Sequence, residues 1–255
     1  MTDLTDLTGR TALVTGGGSG LGAAIATALH GAGARVVLVG RDRGRLDEVA
    51  GRLGERTRTA SCDVADEAAV ERLRTELAEE EISVLVNNAG VPGPVAPLTE
   101  ISVDDWDAVF DVNVRGTFLL CRAFLPAMVA RGSGDVVNLA SVSGKRPLAN
   151  RTPYCASKMA VLGLTSTLAF EVGPAGVSVN SLSPGPVLGP RMERNLRLEA
   201  QRRGVPVEVA EEAFVSRAAL GRMVTEEEVG RAVLAMLAMP GMCGADVDLS
   251  AGMVA

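Results

Sequence analysis

The chain has 255 residues, 47% of them hydrophobic and 22% charged, a make-up that suits a soluble globular protein and excludes a disordered one. Its formal net charge of −6 opposes a general affinity for nucleic acid or an anionic membrane surface. The N-terminal MTDLTDLTGR carries acids and no apolar run, unlike a signal peptide, and no stretch approaches the ~18 uninterrupted apolar residues of a membrane helix.

Short β-branched runs alternate with longer helical patterns. RTALVTG (10–16) reads as a strand and LGAAIATALHGAG (21–33) as a helix ended by glycine. Between them, TGGGSGLG (15–22) puts Gly16, Gly20 and Gly22 where the strand turns into the helix. Glycines there let the backbone turn tightly and approach a pyrophosphate, whose charge the helix N-terminus stabilises. The turn is therefore a candidate dinucleotide site. RVVLVG (35–40) is the second strand, followed by a helix over 41–54. The end of that strand is where an adenosine ribose is expected: an acid suits the 2′-hydroxyl of NAD, an Arg the 2′-phosphate of NADP. Gly40 and Arg41 stand there, with Asp42 further along, which favours NADP(H) over NAD(H).

The third strand spans 58–64 and its helix 66–80; the fourth strand, SVLVNNAG, spans 83–90 and precedes a long helix over 104–130. Segments 134–141 and 176–184 read as strands five and six around a helix over 153–172. A helix at 225–238 and a strand near 245–250 close the pattern. This alternation predicts right-handed crossovers and a doubly wound, mostly parallel seven-stranded sheet flanked by helices on both faces, in a single domain over 1–255. Cys62, Cys121, Cys155 and Cys243 are far apart and form no CxxC pair, as expected of reduced thiols in the cytoplasm. The single His, His30, lacks spaced acidic or Cys partners, so no metal site is expected.

TPYCASKMA (152–160) holds the only Tyr and one of only two Lys, at 145 and 158, in a chain whose other basic residues are Arg. Thr152 and Pro153 have the form of an N-cap and a first-turn proline, so Tyr154 begins the helix. Lys158, four residues on, shares its face. A free phenol has a pKa near ~10 and is a poor base at neutral pH; a neighbouring ammonium favours the phenolate. The compact Lys head can also hydrogen-bond a ribose, which the planar Arg fork does less readily.

TGGGSGLG (15–22), CDV (62–64), NNAG (87–90), DVNVRGTF (111–118), VVNLASVSG (136–144), YCASK (154–158) and NSLSPGPV (180–187) together resemble the short-chain dehydrogenase/reductase family, over essentially the whole chain. The resemblance implies a Rossmann-type fold and a hydride transfer without metal. Tyr154 would be the general acid/base, Lys158 would tune it and hold the nicotinamide ribose, and Ser141 would hydrogen-bond the substrate oxygen. Asn113 would hold a water linking Lys158 to solvent. Gly16, Ser19, Gly20, Leu21 and Gly22 would cradle the cofactor, with Arg41 at its adenosine ribose. Asp63 and Val64 would contact the adenine, Asn88, Ala89 and Gly90 would line the ribose, and Pro184, Gly185 and Val187 would face the nicotinamide. A homotetramer built on the helices at 104–130 and 153–172 and on the last strand is also implied, with the Met-rich MLAMPGMCG (236–244) as adaptable apolar surface.

Three departures stand out against the family pattern: Gly189 where a Thr is usual, Ser19 where many NADP enzymes carry Arg, and DLSAGMVA in place of a Gly-Gly ending. Residues 188–223 correspond to the family's substrate-covering lobe. Its arginines at 191, 194, 197, 202, 203, 217 and 222 are interleaved with acids at 193, 199, 208, 211 and 212, the pattern of a solvated helical face more than of an anion grip. The expected partner is a small-molecule substrate, with no nucleic acid and no membrane: a ketone/secondary-alcohol pair or, alternatively, a β-ketoacyl thioester. A non-catalytic dinucleotide sensor is the remaining alternative, and the intact Asn113, Ser141, Tyr154 and Lys158 oppose it.

Overall fold

β1 (Thr11–Thr15) is buried along its whole length, its apolar centre Ala12–Val14 enclosed on both faces between two buried threonines. The computed structural model describes residues 6–146 and 148–253. After β1 come α1 (Gly20–Gly31), β2 (Arg35–Gly40), α2 (Arg43–Leu53), β3 (Thr57–Ser61), α3 (Glu67–Glu76) and β4 (Ile82–Asn87). The second half runs α4 (Val103–Phe110), α5 (Gly116–Arg131), β5 (Gly134–Leu139), α6 (Val142–Lys145), α7 (Thr152–Val172), β6 (Val177–Pro184), α8 (Pro190–Arg203), α9 (Val207–Val215), α10 (Glu226–Leu237) and β7 (Asp246–Leu249).

The seven strands form one sheet in the order β3-β2-β1-β4-β5-β6-β7, every neighbouring pair parallel. Alternate side chains along each strand enter different cores. Leu13, Val37 and Leu85 meet α3, α5 and α7 through Leu73, Leu119, Phe124 and Ala169. Val14, Leu38 and Val86 meet α1, α2 and α10 through Ile25, Leu46 and Val233. The sheet is thus wound on both faces, and its order reverses between β1 and β4. At such a switch point the loops leaving the two strands diverge and open a crevice at their carboxyl ends. A small third cluster, Met192, Leu196 and Met223 with Phe214 and Val215 packed against it, holds α8 and α9 together within 188–223.

Two boundaries differ from expectation for physical reasons. The helix expected over 104–130 is broken into α4 and α5 by a π turn, Asp111–Arg115, a distortion that hydrophobic spacing does not reveal. α7 begins at Thr152, so Arg151 rather than Thr152 takes the N-cap position, and Pro153 falls in the first turn, where its missing N–H loses no bond. The segments Val103–Arg131 and Thr152–Ala175 have the length and mean hydropathy, 1.2, of membrane spans. α5 and α7 both lie along the sheet, where their inner faces enter the first core.

Candidate active site

The glycine-rich turn leaves β1 at the switch point. Gly16 (φ +66°) and Gly20 (φ +53°) adopt left-handed backbone that other residues rarely take. A Cβ on Gly22 would overlap the Gly16 carbonyl oxygen, and one on Gly16 would lie 2.8 Å from Asn88 Nδ2. The turn is therefore packed against the loop after β4. Thr15 fastens the two: its Oγ1 accepts the Asn88 and Ala89 N–H groups at 3.0 Å each, and its carbonyl accepts Asn88 Nδ2 at 2.8 Å. The cradle that a dinucleotide pyrophosphate needs, bare backbone leading into the N-terminus of α1, is present.

Arg41 is exposed at the carboxyl end of β2. Asp42 is committed elsewhere: it caps α2 by accepting Arg45 N at 3.1 Å and pairs with Arg45 Nε at 3.3 Å. Val64 is buried beside Gly116, where a Cβ would come within 2.8 Å of Val64 Cγ2, so CDV and DVNVRGTF form one packed unit. Asp63 Oδ1 accepts Ala65 N at 3.0 Å and shapes the turn after β3. On the far side, Gly185 lies against Ser250, where a Cβ would fall 2.9 Å from the Ser250 Cα, and Val187 bridges to Val224.

The candidate acid/base set comes together between β4, β5 and α7. Asn113 lies in the π turn and is buried; its Oδ1 accepts Val91 N at 2.8 Å, and its Nδ2 donates to Val91 O and Ser157 Oγ at 3.0 Å each. Ser157 Oγ in turn donates to Tyr154 O at 2.8 Å. Lys158 is 5% exposed, and its Nζ donates to Leu139 O at 2.6 Å. The same ammonium stands 5.8 Å from the Tyr154 ring centroid, and the Arg151 guanidinium lies 5.2 Å from it. Gly90 leaves the space in which Asn113 and Lys158 meet: a Cβ there would be 3.2 Å from Asn113 Oδ1 and 3.6 Å from Lys158 Nζ. Ser141 caps α6 by accepting Ser143 N at 3.1 Å, which leaves its own hydroxyl proton available for donation. α6 abuts α7 at Gly144, where a Cβ would lie 3.1 Å from Lys158 C.

Several supporting residues escaped the sequence reading. Asn87 Nδ2 donates to Asn138 Oδ1 at 2.8 Å and Asn138 Nδ2 to Thr165 Oγ1 at 2.9 Å, a buried polar chain that joins β4, β5 and α7. A polar residue in the otherwise apolar VVNLA was its one visible signal. Thr15 and Ser157 sat inside quoted motifs without a partner to suggest their work. In the lobe, Arg197 faces Glu193, Arg202 pairs with Glu199 and Arg222 with Glu228, as a solvated face requires; the Arg191 side chain lies outside the described residues, as do Val254 and Ala255 of the C-terminal motif.

The family described as short chain dehydrogenase matches residues 10–201. The chain belongs to that family, and it is an NAD(P)-dependent oxidoreductase. It is 43% identical over 187 residues to a D-threitol dehydrogenase of Mycolicibacterium smegmatis, covering 71% of this chain and 72% of that one. Among solved structures it resembles NAD+-bound xylitol dehydrogenase at 29% identity (TM-score 0.90, 96% and 99% of the two chains). It also resembles a variant actinorhodin polyketide ketoreductase with NADPH at 32% identity (TM-score 0.90, 99% of each chain).

Proposed function

We propose that this protein interconverts a ketone and a secondary alcohol using NADP(H), with Tyr154 as general acid/base. The observation that carries the reading is the convergence of buried Lys158 and buried Asn113 on the space left by Gly90, with the Tyr154 ring centroid 5.8 Å from the same ammonium. Bound nicotinamide dinucleotide supplies or accepts the hydride at the substrate carbon. In reduction the Tyr154 phenol gives its proton to the substrate oxygen, and Lys158 stabilises the phenolate that remains. Ser141 donates to the same oxygen as charge builds on it. Asn113 holds the loop through Val91 and, with Ser157, the first turn of α7, so Tyr154 keeps its aim. α8 and α9 serve as the lobe over the substrate within a single domain.

Arg41 at the end of β2 supports NADP(H) over NAD(H). A secondary alcohol is supported by the likeness to dehydrogenases named for D-threitol and xylitol, and the ketoreductase likeness supports the thioester alternative. Carrier-protein docking would want unpaired basic side chains at the entrance; Arg197, Arg202 and Arg222 face acids, which leaves Arg194, Arg203 and Arg217 for such a role. Free thiols suit the cytoplasm, and Phe118, Met159 and Phe170, exposed by 44%, 49% and 85% on α5 and α7, suit a homotetramer. The test is a panel of polyols, ketones and β-ketoacyl thioesters run in both directions with each cofactor, on wild type and Tyr154→Phe. Tyr154→Phe should bind cofactor but lose ~10²–10⁴-fold in turnover; more than half the wild-type rate would sink the mechanism.

A further inference from the structure

Two glycine segments meet at one carboxylate. α10 crosses α1 at Gly230, where a Cβ would lie 2.9 Å from both Ala24 O and Ala28 Cβ. Four residues earlier on each helix, the same contact carries Glu226 and Gly20, and Glu226 Oε1 lies 3.6 Å from where a Gly20 Cβ would be. From the other side Gly189 (φ +155°) leaves room for the same oxygen: a Cβ there would come within 2.7 Å of it. A partly buried carboxylate is thus held at the N-terminal end of α1, whose unpaired N–H groups and partial positive charge attract anions. The first turn of α1 brings no acid of its own, and among the described residues the Ser19 hydroxyl makes no cap bond.

We propose, resting on the reading of the glycine-rich turn as the dinucleotide site, that Glu226 is a built-in rival of the cofactor's pyrophosphate. Both anions need the same space at the end of α1, and the dinucleotide binds when the carboxylate is protonated or swings aside. Glu226 thereby gives cofactor affinity a pH dependence separate from proton transfer at Tyr154. It also accounts for the bare backbone at position 189, since a side chain there would collide with the carboxylate.

The charges around Glu226 set the sign. Burial first, and then the Glu227 carboxylate, raise its pKa above the ordinary 4.5. Arg45, Glu48 and Arg52 of α2 and Glu227 and Arg231 of α10 line the same groove. A pyrophosphate arriving there adds like charge and raises the pKa further, so binding takes up a proton. Affinity therefore falls as pH rises from the free-state to the bound-state pKa, and is level outside that window.

The experiment is calorimetric titration of wild type and Glu226→Gln with NADPH, NADH and ADP-ribose between pH 5 and 9, in buffers that report proton uptake. NADH and ADP-ribose decide the slope, because they lack the extra phosphate that itself titrates near pH ~6. The expected result is wild-type affinity that weakens on the order of tenfold with rising pH, about 1.4 kcal/mol. Glu226→Gln should bind about tenfold more tightly at pH 8, with no slope and no proton uptake. Without ligand it should also melt higher than wild type at pH 8 and not at pH 4, because a carboxyl whose folded pKa is raised loses stability as pH climbs past its unfolded value, ordinarily 4.5. Equal affinity and slope in the two proteins, or weaker binding by Glu226→Gln, overturns the proposal while leaving the dinucleotide site intact. Failure of both proteins to bind any of the three ligands at any pH overturns the reading of the turn itself, and the proposal with it.

Discussion

Lys145 Nζ donates to Asp246 Oδ2 at 2.6 Å and also meets Asp248, two residues along the same face of β7. Asp246 Oδ1 accepts the Ser181 and Ser183 hydroxyls at 2.7 and 2.8 Å, so the clamp reaches into β6. Lys145 ends the short helix that Ser141 caps, and α6 packs on the Lys158 backbone. Lys145 thus ties α6, which rests on the Lys158 backbone, to β7 and β6. Lys145→Met should lower kcat about tenfold, the cost of a slight misplacement of reacting groups, with cofactor Kd unchanged and partial rescue by Lys145→Arg. A matching loss in both constants would mark it as merely structural.

The clamp also predicts alkaline behaviour. Burial tends to lower the Lys145 pKa, but its hydrogen bonds to Asp246 and Asp248 and their negative charges outweigh it, and the pKa rises above the ordinary 10.5. A raised folded-state pKa means the stabilisation is complete below the unfolded value and is lost only as pH climbs through the folded one. Melting curves of Lys145→Met and wild type should therefore stay apart from pH 7 to 10 and converge above that.

Arg41→Ala should collapse a preference for NADPH. One charge-assisted contact to a 2′-phosphate at an exposed site accounts for ~1.5–3 kcal/mol, roughly 10- to 150-fold in affinity. The loss should fall on NADPH and leave NADH little changed, as read from kcat/KM for each. A wild type that already prefers NADH would reduce Arg41 to a solvated residue.

Gly22→Ala and Gly31→Ala separate tight backbone from open surface. The first would drive a methyl into the Gly16 carbonyl oxygen and should cost roughly 3 kcal/mol or more in urea unfolding, with loss of cofactor binding. The second meets nothing within 4 Å and should stabilise by about 0.4–1 kcal/mol.

The thiols should react in two classes. Burial pushes Cys62 up to about 11, helped by Asp63, and Cys121 up to about 12. At pH 8 a disulfide reagent should label exposed Cys243 quickly and Cys155 more slowly, and reach Cys62 and Cys121 only in denaturant. Four fast thiols in the native protein would contradict this packing.

Strand runs such as RVVLVG and SVLVNN were legible because burial on both faces demands continuous β-branched sequence. The glycine-rich turn and the nearness of Lys158 to Tyr154 were legible because each is set by local spacing. The π turn was not: its marker is Asn113 bonding to Val91, 22 residues away, and hydrophobic periodicity does not register a distant partner. α6 escaped because four residues carry no periodicity and it is held by the Ser141 cap and by Lys145. Lys145 and Glu226 were beyond reach for the same reason, since each acquires meaning from strands or helices brought together by the sheet order.

That order has a consequence during synthesis. β1 pairs with β2, the next strand in the chain, but its other neighbour is β4, and Thr15 must wait for Val86, 71 residues later. At ~5–20 residues per second, the ribosome leaves the inner edge of β1 open for about 4–14 s. An open strand edge is a template for wrong partners. That open edge belongs to the strand that leads into the glycine-rich turn, and nascent chains stalled before residue 87 should be the ones that chaperones hold.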